Sequence, residues 1–328
     1  MKKLSMLLCM VALLLTSCTR NEKQADATAV QPKVTEDEPQ GRRCAAMDVL
    51  NEQLKADPAL AGRMAAIENL TARVQKDKSL LRLQADGSIL IPVVVNVLYR
   101  TTAQNVSAAQ IQSQIDVLNA DYNALNSDYS SVPALFSPVK ASVGVHFVLK
   151  SVVRQSTTKT SWSTNDAMKK SAQGGINPTT PDSVLNIWVV GAMSGGVIGY
   201  AQFPGGASAT DGVVIAYNCF GNTGAAASPF NLGRTATHEV GHWLNLRHIW
   251  GDATCGTDYV DDTPFHNAAN YGCPSYPHYS TCSGTPVEQT MNYMDYTDDA
   301  CMYMFTAGQK TRMLATFVSG GGRTLFAQ

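Results

Sequence analysis

Three histidines and a glutamate fall in one short run, His238-Glu239-Val240-Gly241-His242-Trp243-Leu244-Asn245-Leu246-Arg247-His248. His238 and His242 are four residues apart, so on a helix both imidazoles rise from one face and can reach a single ion at about 2.0–2.1 Å. Glu239 stands beside the first of them, off the ligand position but within reach of a water on the ion, where a general base belongs. His248 follows His242 by six residues, the spacing of the long H-E-x-x-H-x-x-G-x-x-H signature, which requires the helix to stop and the chain to turn back under the metal. The glycine of that signature is Asn245 here, and Asn is the next most tolerant residue for a left-handed backbone. Three protein ligands leave one position for water, which marks a catalytic rather than a structural zinc. The chemistry such a set can do is hydrolysis: the ion polarises a carbonyl, and Glu239 moves a proton from the attacking water to the leaving group. The plain alternative is an amphipathic helix with three otherwise satisfied histidines, and the triple spacing argues against it.

These groups need a frame. The spacing predicts a helix over Thr235–Leu246 that carries the first two histidines. Upstream, Ile89–Leu98 is a β-rich run in which Pro92 points to an edge strand or a strand start. Ser107–Asn126 reads as a helix opened by a Ser107…Gln110 capping box, with Ile111, Ile115 and Leu118 on one face. Val143–Leu149, Val184–Val190 and Val213–Tyr217 read as strands. Residues 251–303 are rich in Gly, Pro, Asp, Tyr and Cys and have no period, so an irregular region follows. Thr306–Val318 is a closing helix capped by Thr306…Gln309. No internal repeat is present. The pattern is that of an α+β domain.

The N-terminal third is organised differently. Lys2 and Lys3 precede an apolar stretch, Leu4–Leu15, too short to span a bilayer, and Leu15-Thr16-Ser17-Cys18 resembles a lipobox. A signal peptide (1–17) and lipidation at Cys18 are expected, with Cys18 incidental to a plain secretory signal as the alternative. Residues 18–41 read as an anchored polar tether. Residues 42–81 form a helical segment with Met47, Leu50 and Leu54, then Leu60, Met64, Ile67 and Leu70, at helical spacing, and Asp57-Pro58 as a helix start. It is too small to fold alone, and 82–328 is left as the catalytic domain. The 328 residues carry a net charge of -1 and no long basic cluster, which excludes bulk attraction to nucleic acid or to an anionic membrane. The only membrane contact expected is the lipid anchor, on the cell envelope of a bacterium, and the protein is expected to be a monomer. Export permits disulfides. Cys255, Cys273, Cys282 and Cys301 allow three connectivities, and the absence of any C-x-x-C speaks against a zinc ribbon.

The sequence resembles the pappalysin family of metzincins, in particular its compact ulilysin-like bacterial branch. The resemblance covers roughly residues 86–328 and rests on Gly199–Gly205 (GYAQFPG), Thr210–Ile215 (TDGVVI), His238–His248 and Met291–Cys301 (MNYMDYTDDAC). It implies a metzincin-type domain: a twisted sheet with a backing helix and an active-site helix above, and an irregular lower part with a C-terminal helix. It implies a zinc metalloendopeptidase acting on protein or peptide substrates. Met294 would form a methionine turn beneath the histidines. Tyr296 would stabilise the tetrahedral intermediate, and Asp299 would line the S1′ pocket and favour Arg or Lys on the primed side. The disulfides would be Cys255–Cys282 and Cys273–Cys301.

Cys44, in Arg42-Arg43-Cys44, resembles the pro-segment cysteine of ulilysin-like zymogens, whose thiolate would take the fourth zinc position; the flanking arginines would favour that thiolate. A Cys44–Cys219 disulfide is the alternative. Cleavage at Leu81-Arg82, before an arginine, would activate the enzyme by autolysis and free it from its lipid anchor. Asp258, Asp261, Asp262 and Thr263 crowd oxygen donors into one loop, the ligands calcium prefers and a place where the family often holds it. The rival from another class is an inactive binding lipoprotein that keeps the fold, against which the intact Glu239 argues. A hydrolase of non-protein amides is a second.

Overall fold

The apolar run Ile89–Tyr99 forms strand β1, and the upper half of the molecule is arranged around it. The computed structural model describes residues 41–81 and 88–326. The expected signal peptide, Cys18 and Arg82 lie outside the described residues. β1 belongs to a five-stranded sheet with β2 (Val145–Ser156), β3 (Leu185–Val190), β4 (Gly199–Ala201) and β5 (Val213–Ala216), in the order β2-β1-β3-β5-β4. β1 pairs in parallel with β2 and β3, and β3 with β5; β4, at the edge, runs antiparallel to β5. Interior parallel strands are covered on both faces. Val93, Val94, Val95, Val97 and Leu98 are therefore buried in succession instead of alternating.

Pro92 suggested an edge strand or a strand start, and the structure corrects this: β1 lies between two neighbours. The proline is tolerated because β3 begins to pair only at Val93, so that at Pro92 only β2 lies alongside, with a register shift just beyond, between Val93 and Val94.

Helix α3 (Ala108–Tyr122) crosses behind the sheet and backs α4 (Arg234–Trp243). Ile111, Ile115 and Leu118 are buried as their spacing required, each contributing roughly 1.5–3 kcal/mol. Ser107 caps the helix by accepting from the Gln110 amide, but the expected capping box is only half formed. The Gln110 side chain instead donates to the carbonyls of Tyr217 and Phe220 (3.0 and 2.8 Å), buried acceptors that it satisfies. At α5 (Ala307–Ala315) both halves of the box form between Thr306 and Gln309. Two polar ties fix α3 to α4: the Tyr122 hydroxyl donates to the Thr237 carbonyl at 3.0 Å, and the Thr237 hydroxyl to Asp121 at 2.7 Å.

The lower half is irregular and is stapled by the disulfides Cys255–Cys282 and Cys273–Cys301. The N-terminal segment is docked on the rest of the chain. Its helices are α1 (Ala46–Ala56) and α2 (Ala59–Lys76), the second opened where Asp57 accepts from the Ala59 amide. Leu70 and Val74 of α2 bury against Ala315, at the end of α5, and Val318 just beyond it.

Tyr122→Phe removes one tie, the hydroxyl's hydrogen bond to the Thr237 carbonyl. It should cost about 1 kcal/mol of stability in urea unfolding with an unchanged m-value. An unchanged midpoint would show that the tie does not hold the two helices.

Candidate active site

α4 carries His238, Glu239 and His242 and ends at Leu244. The next turn is made by Asn245 in the left-handed region (φ 72°), the conformation required of the residue in the glycine position. It returns the chain so that His248 faces the first two histidines. The Nε2 atom of His242 lies 3.1 Å from Nε2 of His238 and 3.1 Å from Nε2 of His248.

These contacts are not ordinary hydrogen bonds, because the other nitrogen of each ring is already committed. His238 Nδ1 faces the Tyr293 carbonyl at 2.7 Å, His242 Nδ1 the Leu246 carbonyl at 2.8 Å, and His248 Nδ1 the Asp252 carboxylate at 2.5 Å. Acceptors of this kind draw the ring proton to Nδ1 and leave Nε2 as a bare lone pair. Three lone pairs then converge on one point. Tetrahedral zinc with nitrogens at 2.0–2.1 Å requires them to be about 3.3 Å apart, so the set fits the ion. Burial, followed by the charges of neighbouring histidines, holds His238 and His242 well below the usual imidazole range, hence neutral as ligands must be. Sγ of Cys44 joins the three nitrogens, all four atoms lying within 4.8 Å of one another.

Glu239 is buried against this group, its Oε2 accepting from the Cys44 thiol at 3.3 Å. Burial pushes its carboxyl up to about 8, opposed by that hydrogen bond and by the charge of Arg42. Gly199 on the edge strand makes room for it: a Cβ there would stand 2.7 Å from Glu239 Oε1. Met294 is fully buried, and its sulfur packs so closely under α4 that a Cβ on Gly241 would meet it at 2.5 Å. The ring of Tyr296 lies beside those of His238 and His248, and its hydroxyl donates to the Cys44 carbonyl at 3.2 Å.

Asp299 is completely buried, not a solvated surface acid. One oxygen accepts from the Leu232 and Arg234 amides, at 2.8 and 3.2 Å. The other pairs with Arg42 at 2.6 Å. Arg42 also donates to the Thr297 carbonyl and the Thr235 hydroxyl, and it stacks on Phe230. The expectation that Arg42 and Arg43 favour the Cys44 thiolate is corrected here. Arg42 is committed to Asp299 and Arg43 to the Gly195 carbonyl, while burial and then Glu239 hold the thiol well above its usual range. Cys44 and Cys219 are both free and buried, so the alternative disulfide between them is not formed.

The 258–263 loop divides in two. Thr263 Oγ1 lies 2.9 and 3.0 Å from the two oxygens of Asp258, whereas Asp262 accepts from the Thr306 hydroxyl and the Gly308 amide. Asp261 is exposed. The roles of Asp252, Thr235 and Thr297 escaped the sequence reading: Asp252 had a local signal, four residues after His248, whereas Thr235, in the first turn of α4, and Thr297, just past Met294, matter only because Arg42 reaches them from more than 190 residues away.

A mixed sheet with an antiparallel edge strand over three converging histidines, closed below by a methionine turn, defines a metzincin-type metalloendopeptidase. The comparisons agree. The Peptidase_M43 family model, described as pregnancy-associated plasma protein-A, matches residues 180–318. An extracellular metalloprotease of Pyricularia oryzae is 33% identical over 290 residues, which cover 84% of this chain and 88% of the relative. A mutant of Tannerella forsythia promirolysin superposes with a TM-score of 0.78 at 41% identity, covering 88% of this chain and 97% of that one. Mature Tannerella forsythia mirolysin in complex with a cleaved peptide gives 0.70 at 45% identity, with 74% and 96% covered. The chain belongs to the pappalysin family.

Asp252 supplies the only charged acceptor among the three ring contacts. Asp252→Asn should weaken zinc binding roughly 10- to 100-fold in a chelator competition. Wild-type affinity in that variant would remove Asp252 from the ligand's support.

Proposed function

We propose that the chain is a zinc endopeptidase made as a latent zymogen, exported through its N-terminal signal, anchored at Cys18 and selective for Arg, then Lys, on the primed side of the cut. One observation carries the reading: Arg42 sits on Asp299 while Cys44, two residues further on, faces the three histidines beside Glu239. Residues 43–45 pair with the edge strand through Ala45 N to the Gly199 carbonyl (3.1 Å) and Ile198 N to the Arg43 carbonyl (3.0 Å). A peptide backbone is therefore already seated in the cleft, with an arginine in the pocket that Asp299 closes. Extended substrates dock on a sheet edge, and one with its primed-side Arg on Asp299 would run in the opposite chain direction to residues 42–45, whose pairing with Gly199 is parallel.

His238, His242 and His248 would hold the zinc, which when bound supplies Lewis-acid polarisation and an acidified water. Glu239 accepts the proton of the attacking water and returns it to the leaving amine, a role its position beside the histidines at the centre of the cleft supports. The Tyr296 hydroxyl, now on the Cys44 carbonyl, is placed to donate instead to the oxygen of a substrate carbonyl. Asp299, its carboxylate held in place by two backbone amides, pairs with the incoming Arg as it now does with Arg42. Cys44 excludes water and keeps the enzyme latent until the segment 42–81 is cut away at Leu81-Arg82. The disulfides and the extracellular relatives support an exported enzyme.

The purified chain should cut peptides of the form X-Arg, lose that activity with a chelator, and yield a mature form beginning at Arg82, while Glu239→Ala stays full length. Identical processing of both proteins would rule out autolysis, and zinc-loaded protein that cuts no peptide would rule out the protease.

We further infer that calcium binds at Asp258, with Thr263 and the Val260 carbonyl, whose oxygens cluster around Thr263 Oγ1 within 3.0 Å. Asp258 is buried, and among the described residues it has no ion-pair partner. Asp261 and Asp262 drop out of the ligand set. Calcium, and not magnesium, should raise the Tm by several degrees, and Asp258→Asn should abolish the effect. Equal stabilisation by both ions would refute the site.

A further inference from the structure

We propose that the surface under α1 and α2 becomes, once those helices have left, a second recognition site, in which Arg312 and Arg247 take an acidic side chain of the substrate on the side of the cut away from Asp299. This rests on the zymogen reading above and specifies its substrate further.

Arg312 is a built carboxylate receptor. Its side chain is fully buried and grips Glu68 of α2 with both terminal nitrogens, at 2.5 and 2.6 Å. Its Nε is anchored on the Asn245 carbonyl at 2.8 Å, and its guanidinium lies 5.4 Å over the Tyr259 ring. One edge of the fork is thus tied to the protein and the other is presented to a carboxylate, the geometry in which arginine binds such groups best. The anchor is itself part of the catalytic loop, since Asn245 makes the turn between His242 and His248.

Arg247 stands beside it, one residue before a zinc ligand. It stacks on Phe203 at 4.6 Å. Its Nε is buried with no hydrogen-bond partner in the protein, and its NH1 meets the sulfur of Met47 at 3.3 Å, a weak acceptor. Among the described residues no carboxylate lies within ion-pair distance of it.

Glu68 and Met47 both belong to the segment that activation removes. The acids that remain nearby are occupied, Asp252 on His248 and Asp258 with Thr263. Two guanidinium groups are then uncovered together without a carboxylate of their own, and a buried or half-buried charge is unfavourable until it is paired. The path of the chain fixes the side. It passes the Asp299 pocket at Arg42 and the histidines at Cys44, and it leaves with Ala46 and Leu50 packed over Phe203 and Tyr296. Phe203 and Arg247 therefore lie beyond the histidines from Asp299, on the non-primed side. A peptide that seats its primed-side Arg on Asp299 lies along the same path in the opposite chain direction, because residues 42–47 run from Asp299 past the histidines toward Arg247 and pair with Gly199 in parallel, and it therefore brings residues N-terminal to the cut onto the arginines.

The test uses the full chain after it has lost residues 42–81. Peptides share an Arg on the primed side and carry Glu, Gln or Lys at each of four non-primed positions in turn. At one or more positions Glu should exceed Gln in kcat/KM by roughly fivefold or more, the scale of a charge-assisted pair at a partly exposed site, and Lys should fall below Gln. The ratio should shrink toward one at high ionic strength and in Arg247→Gln and Arg312→Lys. It is taken within each enzyme, so a variant with a generally weakened site still reports. Equal rates for Glu and Gln at every position overturn the inference alone, as does a wild-type ratio in Arg247→Gln. Cleavage of no peptide at all overturns the protease reading, and this inference with it.

Discussion

The cleft depends on one constraint: three imidazoles must point bare Nε2 atoms at a common centre while their Nδ1 protons are taken up elsewhere. Helical spacing sets two of the rings side by side, but it cannot orient them. The orienting acceptors come from three places, the Tyr293 carbonyl in the methionine turn, the Leu246 carbonyl just past the helix, and the Asp252 side chain. Each imposes something on the fold. The methionine turn must lie directly under α4, which is why Gly241 has no side chain where Met294 packs. The helix must stop at Leu244, which calls for a left-handed residue at 245. The edge strand must come close enough to seat Glu239, and Gly199 lets it do so.

The N-terminal segment answers that constraint group by group. Four polar features of the cleft have a counterpart on it: Arg42 for Asp299, Cys44 for the histidines, the Cys44 carbonyl for Tyr296, Glu68 for Arg312. Bare, these groups would be buried or half-buried charges and donors without partners, which proteins avoid. The segment is short of core of its own and the cleft is short of partners, so each supplies what the other lacks.

Much of this was legible in the sequence, and the places where it was not share a cause. The strands, the backing helix and the cap at Thr306 follow from local periodicity and side-chain chemistry. Pro92 misled because its effect depends on which strands lie beside it, and β3 happens to start one residue later. The Gln110 side chain left its capping box because two buried carbonyls about a hundred residues away compete for it. Arg42 and Arg43 were read through their neighbour in sequence, Cys44, whereas their charges are spent on Asp299 and the Gly195 carbonyl. The acids of the 258–263 loop looked equivalent, yet Asp262 turns away to the start of α5.

The sequence by itself determined the converging histidine triad and the glutamate beside it, because residue spacing along a helix and one tight turn are properties of a few consecutive residues. It also determined the class of the surrounding fold through motifs of the same local kind. Only the tertiary structure decided how the cleft is filled: that Arg42 and not solvent meets Asp299, that Cys44 and Cys219 stay apart, and that Arg247 is left without a carboxylate. Those outcomes are set by burial and by contacts between residues about two hundred positions apart, where the energy of a charge depends on what else is brought to the same low-dielectric place.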